Sequence, residues 1–171
     1  WQGLPGVETA LDVFVGYLML DAWIANQDRH HDNWALVVTQ DRTFHLAPSY
    51  DHASSLGSNE TDQNREDRLR TRDERRSIQR YAERATSAFY RSSSDDTRPM
   101  PTFNAFREAG SLRPSAAIAW IDRIEGVSEE AARQIFNQVP PERITPVAAD
   151  FAQKMLEVNR NRLLALRGVF K

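Results

Sequence analysis

The sequence predicts a mainly α-helical fold carrying one small β-hairpin. Three observations lead there. Apolar residues recur at helical spacing over 7–25 and along the last third of the chain. Two short strand-like runs, 34–38 and 43–46, flank a polar turn. Cap and stop residues of the kind that delimit helices punctuate the remainder, and no repeat occurs at periods of roughly 20 to 50 residues.

The first helix is read over 7–25. Val7, Leu11, Phe14, Leu18 and Ala22 follow its period, and Val13, Tyr17, Leu20 and Ile24 widen the apolar surface until little polar face is left. Such a helix is expected to be buried on most sides and to deliver the loop after it from the domain centre. Trp34 to Val38 and Thr43 to Leu46 form the hairpin around Thr39-Gln40-Asp41-Arg42, and Pro48 ends ladder donation. Residues 58–77 hold six acidic and six basic side chains with one large apolar residue, Leu69, so a solvated loop or charged helix, exposed and mobile, is expected. Ile78 to Tyr90 reads as helix and Ser92 to Pro101 as a linker loop. Pro114 opens a helix through Ile124, with Gly126 beyond its end. Ser128 caps the next, whose first turn carries Glu129 and Glu130, and Pro140-Pro141 stops it. Thr145-Pro146 starts a long last helix with Val147, Phe151, Met155, Val158 and Leu163 on its apolar side, ended by Gly168. The segments group as 7–57 (helix, loop, hairpin, second loop), 58–101 (charged segment and helix) and 102–171 (helical), within a single domain.

Composition removes several function classes. With 171 residues and 40% apolar content the chain suits one domain with a real core. A net charge of -2 gives no electrostatic case for nucleic acid, and no lysine cluster suggests an anionic membrane surface. The absence of cysteine excludes disulfides and thiolate metal sites and is compatible with a reducing compartment, so a cytoplasmic location is the expectation. The longest apolar run, Val13 to Leu20, is too short to span a bilayer and is flanked by Asp12 and Asp21.

The chemistry-bearing residues cluster between 26 and 52: Asn26-Gln27-Asp28-Arg29-His30-His31-Asp32-Asn33, then, past the hairpin, Pro48-Ser49-Tyr50-Asp51-His52. An Asp followed five positions later by an Asn, with a second Asp across a hairpin, is the grouping phosphoryl transfer needs. Asp28 is the candidate base, orienting an acceptor hydroxyl and taking its proton. Asn33 and Asp51 are candidate Mg²⁺ ligands, since Mg²⁺ prefers hard oxygen donors and keeps several waters beside phosphates. Each residue also has a structural reading: Asp28 and Asn33 as turn residues, Asp51 as a cap on the Ala53 to Leu56 turn. The spacing of the three favours the catalytic set. His30 either meets a phosphate or braces the loop backbone, the second being favoured; Arg29 either neutralises phosphate or pairs with a carboxylate. His31 and Asp32 are expected to face solvent and Tyr50 to pack beneath the metal loop. All four histidines lie between 30 and 52, which raises a rival: His31-Asp32 with His45 or His52 and Asp51 as a metal-dependent phosphohydrolase site.

Two absences qualify the phosphotransfer reading. The only lysines are Lys154 and Lys171, and the seven glycines are scattered. A complete phosphotransferase of this kind covers the phosphates with a glycine-rich loop and reaches them with a strand lysine. An upstream lobe is therefore expected to be missing from this chain, and Trp1 in place of an initiator Met points the same way.

The run Asn26 to Asn33 followed by Leu46-Ala47-Pro48-Ser49-Tyr50-Asp51 resembles the catalytic core of HipA-like serine/threonine kinases, in which N-x-D-x-H-x-x-N precedes P-x-Y-D across a hairpin. The resemblance covers about residues 7–57. It implies the C-terminal lobe of a protein-kinase-like fold, Asp28 as catalytic base, Asn33 and Asp51 on Mg²⁺–ATP, and His30 and Tyr50 against the nucleotide. It also implies a missing N-terminal kinase lobe, a protein substrate and an antitoxin-type partner. Asp28-Arg29-His30 with Asn33, Phe44-His45-Leu46 and Asp51-His52 is similar as well to phosphatidylinositol 3- and 4-kinases, but Phe-Gly does not follow Asp51 and Pro48 fits the HipA-like pattern better. A reading of another class is a non-catalytic pseudokinase lobe serving as a binding module.

Overall fold

The computed structural model describes residues 3–91 and 98–170. Among them run seven α-helices and one two-stranded antiparallel sheet. In order these are α1 (Ala10–Ile24), β1 (Leu36–Val38), β2 (Phe44–Leu46), α2 (Asp62–Arg70), α3 (Ile78–Glu83), α4 (Thr102–Leu112), α5 (Pro114–Glu125), α6 (Glu129–Asn137) and α7 (Pro146–Ala165), with single 3-10 turns at His31–Asn33, Glu74–Arg76 and Leu166–Gly168. No described helix is long and apolar enough to cross a membrane.

Helix α1 is the axis of the fold. Thr9 caps it: its hydroxyl accepts from the Asp12 amide while the Asp12 carboxylate accepts from the Thr9 amide at 2.8 Å, a reciprocal box that satisfies two otherwise orphaned donors. The start is therefore three residues later than the periodicity suggested, because Val7 packs into the core from the preceding turn. Val13, Val15, Tyr17, Leu18, Met19 and Ala22 are buried, as a helix with apolar residues on most sides should be. Leu11 is the exception at 65% exposed. Around α1 pack α4, α5 and α7, and Phe106, Ile121, Ile124 and Leu163 complete this main core. Gly16 permits the closest approach, since a Cβ there would stand 2.4 Å from the Trp120 ring.

A second, smaller core lies between α3 and α7, where Ile78, Ala82, Phe151, Met155 and Val158 meet Ala25. Helix α7 joins the two cores and also closes the end of α1. The Asn159 amide donates to the Trp23 carbonyl at 3.0 Å, and the Trp23 indole donates to the Leu156 carbonyl at 3.2 Å. One of the carbonyls left without a helical partner at the end of α1 is thereby satisfied from a neighbouring helix.

Several boundaries differ from expectation for local reasons. Helix α3 stops at Glu83, not Tyr90, because Ser87 and Phe89 exchange backbone hydrogen bonds with Met100 and Thr86 bridges Pro101. The expected linker at Ser92 to Pro101 falls largely outside the described residues. The charged 58–77 segment forms an ordered helix, α2, with no buried residue, capped by Thr61 and laced by Arg65–Asp62 (2.6 Å) and Arg70–Glu66 (3.5 Å) pairs. The caps at Ser128 and Thr145 stand where expected, with Pro146 at the first turn of α7.

Candidate functional site

The loop after α1 is fixed by a buried polar network. Ala25 takes the left-handed conformation (φ 52°), its amide bonding back to Asp21, and this turns the chain off the helix axis. The Asp21 carboxylate, 2% exposed as a residue, then serves three donors. It accepts from the Asn26 amide at 2.9 Å and from two guanidinium nitrogens of Arg29 at 2.7 and 2.8 Å. Arg29 is itself fully buried, and its remaining donors reach the Asn33 carbonyl at 2.6 Å, the Ser49 hydroxyl at 2.7 Å and His52 Nε2 at 3.2 Å. All three guanidinium nitrogens take part, which a lysine's single nitrogen could not do. Arg29 thus pairs with a carboxylate and organises the loop.

That network also brings in the loop after the hairpin. The strands pair Leu36 with Leu46, Val37 with His45 and Val38 with Phe44, and the Ala47 amide extends the ladder to the Ala35 carbonyl. The hairpin therefore returns Pro48 to Asp51 beside the start of β1. Two further ties join the loops, the Tyr50 hydroxyl donating to the Asp32 carbonyl at 2.8 Å and the Gln27 amide to Ser54, and two anchor the second loop to α1, the Tyr17 hydroxyl donating to the Ala47 carbonyl and the Leu56 amide to Ile24.

The predicted site residues take these places. Asn33 is 3% exposed; its side-chain amide nitrogen donates to the Asp28 backbone carbonyl, and its Oδ1 accepts no hydrogen bond from a described residue. The Asp28 carboxylate is 51% exposed. His30 Nδ1 accepts from the Asp32 amide at 3.2 Å, bracing the loop; in the neutral ring the proton then sits on Nε2, 3.8 Å from Asp28 Oδ1. Asp51 is exposed, with φ 56°, a conformation that Asp tolerates better than most residues, and its carboxylate is not hydrogen-bonded to a described residue. Tyr50 does not pack beneath the loop. Its ring is 40% exposed and its hydroxyl reaches across to Asp32, because a phenol at a loop crossing gains more from an acceptor than from burial.

His52 carries a shift with a clear origin. Burial and the Arg29 guanidinium both hold its pKa below the ordinary 6.5. Its Nε2 lies 3.2 Å from an Arg29 nitrogen and 2.8 Å from the Ser49 hydroxyl, which fixes the ring between the two. Burial likewise pushes the Tyr17 phenol up, against the opposing Arg29 charge, and keeps it a donor to Ala47.

The rival arrangement of His31, Asp32, His45, His52 and Asp51 around one ion is not formed. His52 is committed to Arg29 and Ser49, and His45 stands on β2 with its Nε2 3.1 Å from the Thr43 hydroxyl. Among the described residues only His30, His31 and Asp32 bring ligand atoms within 4.8 Å of one another, at the surface. Of the two lysines, Lys154 lies on α7, bound to Glu157 at 2.7 Å. Sequence reasoning missed Asp21 and Asn26. An Asp on an apolar helix, five residues before an Asn and eight before an Arg, marks an unusual polar position but does not name its partners.

No family model, curated protein or solved structure matches the chain.

Proposed function

We propose that the chain is the catalytic half of an ATP- and Mg²⁺-dependent phosphotransferase, a protein serine/threonine kinase lobe of the HipA-like type. One observation carries the reading. Asn33 spends its amide nitrogen on the Asp28 backbone carbonyl, which leaves its oxygen without a described protein partner on the loop that carries the half-exposed Asp28 carboxylate, while Asp51, another carboxylate without a hydrogen bond to a described residue, follows Tyr50, whose hydroxyl ties the facing loop to Asp32. Two oxygen donors without protein partners suit a hard cation that brings its own waters and phosphate oxygens.

Asn33 and Asp51 would hold the metal, which when bound draws charge from the transferring phosphoryl group. Asp28 orients the acceptor hydroxyl and takes its proton. His30, braced by the Asp32 amide, stands with Nε2 3.8 Å from the Asp28 carboxylate. Arg29, buried and held to Asp21, contributes by rigidity: it holds both loops in one frame before any ligand arrives. The phosphates need a cation that Lys154, bound to Glu157, does not supply, and the apolar hairpin, with Leu36 55% and Phe44 65% exposed, suits an adenine ring and a covering lobe. A partner lobe bearing the glycine-rich cover and lysine completes the reading.

The test uses the gene product that contains this chain. Asp28→Ala should lower phosphoryl transfer by about 100- to 10,000-fold with an unchanged thermal melt. Asn33→Ala and Asp51→Ala should weaken Mg²⁺-dependent ATP binding in a titration. Equal transfer rates in the wild type and Asp28→Ala would remove the assignment; Mg²⁺–ATP binding without any transfer would favour the non-catalytic module.

A further inference from the structure

Between α1, α5 and the first residues of the second loop lies a cleft of about 650 Å³, inside the range of small-molecule sites. Its walls are apolar and aromatic: Tyr17, Leu20 and Trp23 from α1, Trp120 from α5, and Pro48 and Val127 at its edges. Two charged residues stand at its mouth, and they differ. Asp122 is ion-paired, its Oδ1 accepting from Arg167, which also holds Glu125 at 2.6 Å. Arg123 has no hydrogen bond or ion pair with any described residue. The cleft therefore offers a large apolar surface with one unanswered positive charge at its rim.

We propose that this cleft binds a small organic anion, an apolar chain or ring system ending in a carboxylate, with the apolar body against Trp23 and Trp120 and the carboxylate on Arg123. The charge decides the class. A neutral apolar ligand would leave Arg123 unused, and an organic cation would meet an uncompensated like charge. Burial of the body supplies affinity and the guanidinium supplies selection, since arginine matches a carboxylate with two parallel donors. The site is distinct from the phosphotransfer loops but touches them. Tyr17 donates to Ala47, and Ser49, on the cleft wall, holds Arg29 and His52. A filled cleft should therefore stiffen residues 47–52.

Decanoate and decanol, titrated into the protein with tryptophan fluorescence as readout, test the proposal without requiring any phosphotransfer. Decanoate should bind at one saturable site, Arg123→Gln should weaken it about tenfold, and the same substitution should leave decanol within about twofold. Val127→Trp, which fills the cleft, should weaken both. Hydrogen exchange should slow at 47–49 and 123–127 on addition of decanoate. Equal decanoate affinity in the wild type and Arg123→Gln, or protection at the exposed hairpin in place of the cleft, would overturn the proposal. So would a protein that takes neither ligand and sediments as a dimer that Val127→Trp dissolves, since the occupant would then be a second copy.

Discussion

Two regions of this molecule are built from the same residue types and behave differently. Around the candidate site, Arg29 and Asp21 pair with side chains 0% and 3% exposed. Along α2 and the turn after it, Arg65–Asp62, Arg68–Glu60, Arg70–Glu66 and Arg76–Asp67 pair at 2.6 to 3.8 Å, all with at least one partner well exposed or at marginal distance. The surface pairs exchange water for a partner at little net gain, each about 0–1 kcal/mol. The buried pair has lost its water, so its members are held to each other and to Asn26, Asn33, Ser49 and His52. The difference is less one of stability than of what breaks when a partner is removed.

The largest effect should therefore come from Arg29→Met. It strands the Asp21 carboxylate in the core and should cost about 3–5 kcal/mol in urea unfolding. The double variant Asp21→Leu with Arg29→Met should recover part of that loss, and a double variant as unstable as Arg29→Met alone would break the comparison. Next comes Gly57→Ala. Gly57 has φ 69°, and a Cβ there would stand 2.5 Å from the Phe151 ring, so a loss of about 1–3 kcal/mol is expected by the same assay.

A third test uses acid. The folded pKa of His52 lies below 6.5, so the unfolded chain binds more protons as pH falls from 6.5. Stability is thus fully present above 6.5 and declines as pH drops through the folded value. His52→Gln should flatten that limb. Asp12, held far below 3.8 chiefly by Arg113 with Thr9 assisting against burial, adds a separate decline below about pH 4 that the His52 variant keeps. If the slope between pH 6.5 and 5 were identical in both proteins, His52 would not be the group responsible. The smallest effect belongs to Arg70→Ala on α2, within about 0.5 kcal/mol of wild type, as expected for a pair with side chains 78% and 37% exposed.

The sequence disclosed these regions unequally. Helical periodicity found α1 and α7, and start and stop residues such as Pro114, Ser128 and Thr145-Pro146 found α5 and α6 and placed the start of α7, because those signals act within one turn of chain. It overran α3, whose end is set by pairing with Met100, more than ten residues away. It read 58–77 as an exposed loop or charged helix, and a capped, ion-paired helix without a buried residue stands there. At the site, spacing singled out Asp28, Asn33 and Asp51, and the structure ties their two loops to one another. What spacing could not disclose was Asp21. Its role depends on Arg29 turning inward, and an arginine in a polar loop gives no sign of which way it points.

The hairpin has a consequence for anyone handling this chain. Its strands are three residues long, and Leu36, Val37, Val38 and Phe44 are all between 46% and 65% exposed. Each strand has one neighbour only, so a row of peptide groups faces outward along both margins. A greasy ribbon with open margins is adhesive toward its own kind. Solutions of this chain should cloud or self-pair as they are concentrated, and whatever naturally lies over the ribbon would act as its solubiliser as well as its collaborator.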